Sequence, residues 1–206
     1  MAKKENPNQI PKKFRKLKKS FLDNIQNHNN SFFMSFPKNL SFLGKEKEEN
    51  VVLIVRTHWI FYIPHILLGF LAFLLPFLFK LVVPDLQNNG ALFLVFFVMS
   101  LMIFLSVLVF ALIKWYFNVN IITDQRVVDL DFTSVMSHTS SEARLERIED
   151  VTHKQIGLIG SVFDVGTVYI QTAGAKAEIE FDNIPRPREV QDILYDLLEA
   201  KQKGEI

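Results

Sequence analysis

Residues 59–117 read WIFYIPHILLGFLAFLLPFLFKLVVPDLQNNGALFLVFFVMSLMIFLSVLVFALIKWYF, and this stretch decides how the chain is organised. It contains two apolar runs: Trp59–Val83, whose one charged residue is Lys80, and Ala91–Ile113, which has none. Each run exceeds the roughly 20 residues that a helix needs to cross a bilayer core, and neither shows a polar stripe. The break at 84–90 is typical of a turn. We therefore predict a helical hairpin that crosses a membrane and returns.

The alternative to a membrane hairpin is a pair of buried helices in a soluble core. A chain of 206 residues has little protein with which to surround two helices that are apolar on all sides. The membrane interpretation is therefore favoured. The chain has no cysteine, which excludes a disulfide framework, a Cys-ligated zinc site and thiol catalysis.

The charge distribution predicts the orientation of the hairpin. Residues 1–20 contain eight Lys/Arg and one Glu, and Arg56 and Lys114 flank the apolar stretch, whereas the turn has no Lys or Arg. By the positive-inside rule, both termini are expected in the cytoplasm. Aromatic residues begin the first run and end the second, so a hairpin brings them to one membrane interface. The predicted interface residues are Trp59, Tyr62, Trp115 and Tyr116.

Residues 1–50 are expected to form a basic amphipathic arm followed by a polar linker. Apolar residues recur in the arm at helical spacing, at Ile10, Phe14, Leu17, Phe21, Leu22 and Ile25. We predict that the cations between them bind anionic lipid head groups; these are Lys12, Lys13, Arg15, Lys16, Lys18 and Lys19. A disordered basic tail is the alternative, and nucleic-acid binding is disfavoured because no folded basic domain accompanies the tail. The charged run 45–49 in the linker is expected to be solvated.

Beyond the hairpin the hydrophobic period changes from helical to alternating, which indicates a β domain over residues 118–202. The predicted strands, in chain order, are 118–123, 128–132, 168–172 and 177–182. The short apolar run Val51–Val55, within a juxtamembrane segment 51–58, is a further strand candidate that could join the same sheet. Residues 187–202 have one apolar stripe and are predicted to form a helix that closes the sheet.

Four segments of this region resemble a known family. They are His58-Trp59, WYFNVNIITDQRVV at 115–128, IEDV at 148–151 continued by GSVFDVGTVYI at 160–170, and IPRPREV at 184–190. Their order and spacing resemble the bacterial pleckstrin-homology-like family, also described as membrane-flanked or YdbS-like domains. The resemblance covers roughly residues 50–200. It implies a seven-stranded antiparallel β barrel or sandwich with a C-terminal capping helix, in a bacterial cell membrane, without catalytic residues or an agreed ligand.

No constellation of residues predicts catalysis. The five histidines have no metal-ligand spacing, no Gly-rich phosphate loop occurs, and the charged residues at 142–150 are expected to be a solvated face. We expect no cofactor. The favoured function is a membrane-anchored interaction or scaffold protein that binds a protein partner or assembles with its own copies. The alternatives are an anionic-lipid-binding module and a transporter or channel subunit, for which Ser100 and Ser106 are the polar candidates inside the helices.

Overall fold

The computed structural model describes residues 14, 21, 33–37, 45–46, 49–134, 137–173 and 178–206. The chain divides into two compact units. Residues 59–116 form one of them, which we call the helical unit. The residues before and after this stretch form the other, which we call the β unit.

The helical unit begins with a 3-10 helix, Trp59–Tyr62, and continues with three α-helices. These are α1 (Ile63–Val82), α2 (Pro84–Asn88) and α3 (Gly90–Phe117). The predicted turn thus contains a short helix, because Pro84 suits a first helical position. The Asn89 side chain then accepts the backbone N–H groups of Ala91 and Leu92, both at 3.1 Å, and so caps α3.

Helices α1 and α3 pack along one seam. A methyl group placed on Gly69 would lie 3.1 Å from Val107 Cγ1, and the Phe73 ring centroid lies 5.7 Å from those of both Phe97 and Phe104. Away from this seam the apolar side chains are uncovered. In the most apolar 18 residues of each helical segment, 11% of the first and 6% of the second are buried. The unit therefore has two helical segments that are long and apolar enough to span a membrane: Trp59–Val82, which joins the 3-10 helix to α1 over 24 residues, and α3 with 28 residues.

The β unit contains two antiparallel sheets. The first has the order β1-β2-β3-β4-β5 and the second the order β6-β7-β8. The strands of the first sheet are β1 (Phe33–Ser35), β2 (Val51–Arg56), β3 (Val119–Thr123), β4 (Arg126–Ser134) and β5 (Ser137–Arg144). Those of the second are β6 (Ile148–Lys154), β7 (Val165–Thr172) and β8 (Glu178–Pro185). A short helix, α4 (Gly157–Phe163), precedes β7, and α5 (Pro187–Gln202) follows β8.

Strand β2, which contains the strand candidate Val51–Val55, belongs to the sheet. It pairs with β3 from Val51 opposite Thr123 to Arg56 opposite Val119, although residues 57–118 lie between the two strands. A register shift after Val51 allows both Val52 and Leu53 to be buried in one core. The opposite face of β2 buries Val51 and Ile54, which explains why this strand is a continuous apolar run.

Helix α5 covers the main core as predicted. It spans the predicted 187–202, and Val190, Ile193, Leu194 and Leu197 are fully buried. The buried side chains that they join come from both sheets; they include Val52, Leu53, Ile122, Val127, Val151, Ile170 and Phe181. The two sheets and the helix are compatible with a pleckstrin-homology-like fold.

The expected linker departs from its prediction. Phe33–Ser35 forms β1, which pairs with β2 from Phe33 opposite Val55 to Ser35 opposite Leu53. Phe33 and Phe36 are buried in the main core, so these residues belong to the fold because their rings add apolar area to it. The charged run is also not wholly solvated, because Glu49 is 3% exposed.

The predicted arm contributes to the same core. Phe14 and Phe21 are fully buried, and the Phe14 ring lies 5.2 Å from that of Phe36 and 6.4 Å from that of Phe21. These two members of the apolar stripe therefore pack against protein and are not available to a membrane surface. The predicted lipid-binding cations, Lys12, Lys13, Arg15, Lys16, Lys18 and Lys19, lie outside the described residues.

Candidate functional site

The β3–β4 turn carries an ion pair between Arg126 and Glu49, a residue of the charged run 45–49 that the sequence predicts to be solvated. Arg126 Nε donates to Glu49 Oε1 and Arg126 Nη2 donates to Glu49 Oε2, both at 3.0 Å. The Glu49 side chain is fully buried and that of Arg126 is 15% exposed. Two parallel charge-assisted hydrogen bonds of this kind fix geometry as well as adding stability. Arg126 Nη1 also donates to the exposed Glu142 Oε2 at 2.8 Å.

Burial and hydrogen bonding oppose each other at Glu49. Burial by itself raises the pKa of this carboxyl group, but hydrogen bonds from Arg126, from the Glu46 backbone N–H and from the Thr123 hydroxyl lower it. The hydrogen bonds prevail, so the pKa of Glu49 lies below its ordinary value. The pKa of Arg126 is correspondingly raised, chiefly by its hydrogen bond to Glu49.

The turn itself is closed by its own side chains. The Thr123 Oγ1 accepts the backbone N–H of Arg126 at 2.9 Å and lies 2.8 Å from Glu49 Oε1. The buried Asp124 accepts both the backbone N–H and the side-chain amide of Asn50, at 3.0 and 2.9 Å. Residues Thr123–Arg126, within the segment 115–128, therefore form a clamp that holds the entry to β2 against the β3–β4 turn.

The segment Ile148-Glu149-Asp150-Val151 likewise has a structural role, because in the second sheet it binds side chains of α5. The Tyr195 hydroxyl donates either to Asp150 Oδ1 at 2.8 Å or to the Val151 carbonyl at 2.9 Å, and Gln191 also donates to that carbonyl. Burial, followed by the hydrogen bond to Asp150, raises the pKa of Tyr195. These contacts attach α5 to β6.

A charged groove of about 560 Å³ lies beside the Arg126 clamp. Its charged lining consists of Glu46, Arg126, Glu142, Arg144, Glu146, Arg147 and Lys201. Arg126 is paired with Glu49, and Lys201 Nζ lies 3.3 Å from Glu146 Oε1. Arg144 and Arg147 have no carboxylate within 4.0 Å in the part of the chain that the structure describes, so the groove offers two cations to an anionic group.

The groove and the hairpin connections lie at opposite ends of the five-stranded sheet. Arg126, which begins β4, is the register partner of Arg144, which ends β5, and both lie at the end of the sheet where β3 turns into β4. The chain leaves this sheet for the hairpin at Arg56 and returns at Val119, at the other end of β2 and β3. At about 3.3 Å per residue, the six residues of β2 separate these ends by roughly 20 Å.

The predicted interface aromatics differ in exposure within the helical unit. Trp59 and Tyr116 are 48% and 58% exposed, whereas Tyr62 and Trp115 are half-buried.

The two helix serines donate to carbonyls of their own helix, Ser100 to Phe97 at 2.9 Å and Ser106 to Met102 at 2.8 Å. Among the described residues, no group of His, Asp and Glu could hold a metal ion.

Sequence reasoning did not find the Glu49–Arg126 pair or the groove. The two residues are 77 positions apart, and no local pattern marks a carboxylate in a mixed-charge run as the buried one. The available signal was the segment at 115–128, which contains Thr123 and Arg126 but which the sequence marks only by its resemblance to a family.

The β unit has two antiparallel sheets and a closing C-terminal helix, and two long apolar helices lie in sequence between its strands β2 and β3. The family model of the bacterial PH domain matches residues 60–198. The chain therefore belongs to the bacterial PH domain family. No curated protein matches the chain, and no solved structure matches it.

Proposed function

We propose that this protein is a membrane-anchored interaction module. Helices α1 and α3 cross the bacterial cell membrane as a hairpin, and the β unit is a pleckstrin-homology-like barrel at the cytoplasmic face. The observation that carries the proposal is the place of the hairpin in the sheet. Arg56 and Val119 are register partners in neighbouring strands, and the chain between them includes helical segments of 24 and 28 residues with mostly uncovered apolar surfaces.

The charged groove is the proposed contact for a protein partner. Two arginines, Arg144 and Arg147, line it without a carboxylate partner among the described residues, and a guanidinium binds carboxylates through paired hydrogen bonds. The groove lies roughly 20 Å along β2 from the hairpin connections, which favours a carboxylate-bearing protein segment over a lipid head group as its occupant.

The two alternative functions have less support. The lipid-binding arm would need its apolar stripe for the membrane, but Phe14 and Phe21 are buried in the core of the β unit. A transport path would need polar groups that face it, but Ser100 and Ser106 direct their hydroxyl groups to carbonyls of their own helix.

Membrane topology is tested with single cysteines, because the chain has none of its own. Asn88→Cys lies in the break between α1 and α3, and Glu149→Cys is exposed on the β unit. In intact spheroplasts a membrane-impermeant maleimide should label position 88 and should reach position 149 only after lysis. Labelling of both positions, or of neither, in intact spheroplasts contradicts the hairpin.

Partner binding is tested by native mass spectrometry of the full chain, extracted gently from its own membrane. A constant added protein mass is expected, and the double variant Arg144→Glu/Arg147→Glu should lose it. Lys203→Glu, which reverses a charge at the end of α5 outside the groove, should retain it. A bare 23.9 kDa chain would contradict the proposal, and a reproducible small-molecule mass would favour the lipid-binding alternative.

A further inference from the structure

Helix α4 is arranged with its apolar side chains outward. Leu158 and Val162 are 84% and 73% exposed, and the neighbouring large apolar residues are also exposed. We call this set the α4 patch; its members are Ile156, Leu158, Ile159, Val162 and Phe163. Five adjacent apolar residues with this exposure mark an interaction surface, whereas single exposed apolar residues are ordinary.

The outward arrangement follows from the face that α4 turns to the sheet. Gly160 is its buried residue, and a methyl group placed there would lie 3.1 Å from the Val165 carbonyl oxygen. Asp164, at φ 51°, ends the helix in the left-handed conformation and donates its N–H to the Gly160 carbonyl. Because a glycine occupies the inner face, the apolar side chains of the α4 patch cannot be buried in the core of the β unit.

The α4 patch lies at the end of the β unit from which the hairpin departs. Helix α4 follows the end of β6 and precedes Val165, which begins β7 opposite Pro185 of β8. Pro185 is two residues, or about 7 Å, from Asn183, whose carbonyl accepts the His58 N–H at 2.8 Å. The Thr57 hydroxyl similarly donates to the Asp182 carbonyl at 3.3 Å. The next residue after His58 begins the first apolar helix.

Cations accompany the apolar residues at this end. Lys154 ends β6 immediately before the segment that leads into α4, and it is exposed. Arg188 is exposed in the first turn of α5. Its neighbour Pro187 packs close to Gly166, where an added methyl group would lie 3.1 Å from Pro187 Cγ. Apolar side chains flanked by Lys and Arg are typical of segments that lie in the interface of an anionic bilayer.

We infer that the α4 patch inserts into the lipid bilayer and so fixes the orientation of the β unit on the membrane. The inference rests on the proposed membrane hairpin. A bilayer is favoured over a second copy of the chain because α4, with seven residues, is about 10 Å long. A helix of that length offers far less than the roughly 800 Å² per partner of a standard protein interface.

The test places an environment-sensitive fluorophore at single cysteines of the full chain in vesicles containing anionic lipid. Leu158→Cys and Val162→Cys report on the α4 patch. Glu149→Cys, exposed near the opposite end of β6, is the matched control, and Met102→Cys reports on α3. Lipids with brominated acyl chains should quench the labels at 158, 162 and 102 several-fold more than the label at 149, and aqueous iodide should show the reverse order.

The outcomes separate the inference from the function on which it rests. If the label at 102 is quenched by brominated lipid but those at 158 and 162 respond like that at 149, the hairpin stands and the inference fails. If the labels at 158 and 162 are shielded from iodide without quenching by brominated lipid, a protein covers the α4 patch and the inference also fails. If the label at 102 is not quenched, the membrane hairpin itself is wrong.

Discussion

Arg126 holds the buried carboxylate of Glu49 through two hydrogen bonds of 3.0 Å across 77 positions of sequence. The pair connects the segment that enters β2 to the turn between β3 and β4. Because β2 and β3 are separated by the hairpin, this contact helps to hold together a sheet whose neighbouring strands are distant in sequence.

Glu49→Gln should lower the free energy of unfolding of the β unit by about 2 kcal/mol or more, because it removes the buried counter-charge of Arg126 and leaves only the exposed Glu142 as its partner. The midpoint of thermal unfolding in detergent, followed by near-ultraviolet circular dichroism, measures the change. Glu142→Gln removes the exposed partner of the same arginine and should change stability by less than about 0.5 kcal/mol. Equal stability changes in the two variants would contradict the larger contribution that we assign to the buried pair of Glu49 and Arg126.

The same pair predicts a pH dependence. The folded pKa of Glu49 lies below its ordinary value, so its contribution to stability is present at neutral pH and is lost as the pH falls through the folded pKa. The difference in unfolding midpoint between wild type and Glu49→Gln should therefore shrink on acidification below about pH 4.5. A difference that stays constant from neutral to acidic pH would contradict this account.

Glu180 should behave in the opposite way. Partial desolvation of this exposed side chain, followed by repulsion from Asp182, Glu178 and Asp131, raises its pKa in the folded protein. Its ionisation therefore opposes folding at neutral pH, and this cost is relieved as the pH falls. We expect Glu180→Gln to raise the unfolding midpoint at neutral pH and to have no effect at acidic pH. A midpoint lowered by this variant at neutral pH would refute the prediction.

Gly166 is required by a close approach of two backbones. A methyl group there would lie 2.4 Å from the Lys154 carbonyl oxygen and 2.9 Å from Gln155 Cγ. Gly166→Ala should destabilise the β unit by about 1–3 kcal/mol, because the backbone must move to relieve the overlap. The control is Gly90→Ala at the start of α3, where no atom lies within 4 Å of the added methyl. Comparable unfolding midpoints for the two variants would argue against this packing.

Phe14 distinguishes an arm that completes the core from one that binds lipid. It is fully buried beside Phe36, so Phe14→Ala should lower the free energy of unfolding by about 3–5 kcal/mol. Met34→Ala, at a position 39% exposed on β1, is the control and should have a small effect. If Phe14→Ala weakened vesicle binding and left the unfolding midpoint unchanged, the arm would be a membrane element as the sequence suggested.

The elements that could be predicted are those whose own residues carry the pattern. Strands β4, β7 and β8 alternate clearly, and α5 has an uninterrupted stripe, so their positions follow from local periodicity. Strand β5 reads Ser-His-Thr-Ser-Ser-Glu-Ala-Arg. It has little apolar alternation, and its strand conformation is explained by pairing with β4.

What could not be predicted depends on partners distant in sequence. The stripe that includes Phe14 and Phe21 was visible, but an apolar face does not specify whether lipid or a sheet will cover it. Likewise, nothing in the local sequence marks Gly160 as the residue of α4 that faces the sheet and leaves its apolar neighbours outward. The charged groove needed the β3–β4 turn, β5 and the end of α5 to be brought together.

The insertion of the hairpin between β2 and β3 has a consequence for biogenesis. During translation β2 is made first, and under the proposed topology it must wait for β3 until both helices have been inserted into the bilayer. Under the proposed topology, a chain that inserts only one of its two helices leaves these strands on opposite sides of the membrane, where they cannot pair. Pairing of β2 with β3 then requires that the chain has crossed the membrane twice. A misinserted chain exposes an unpaired strand, which quality-control proteases can recognise.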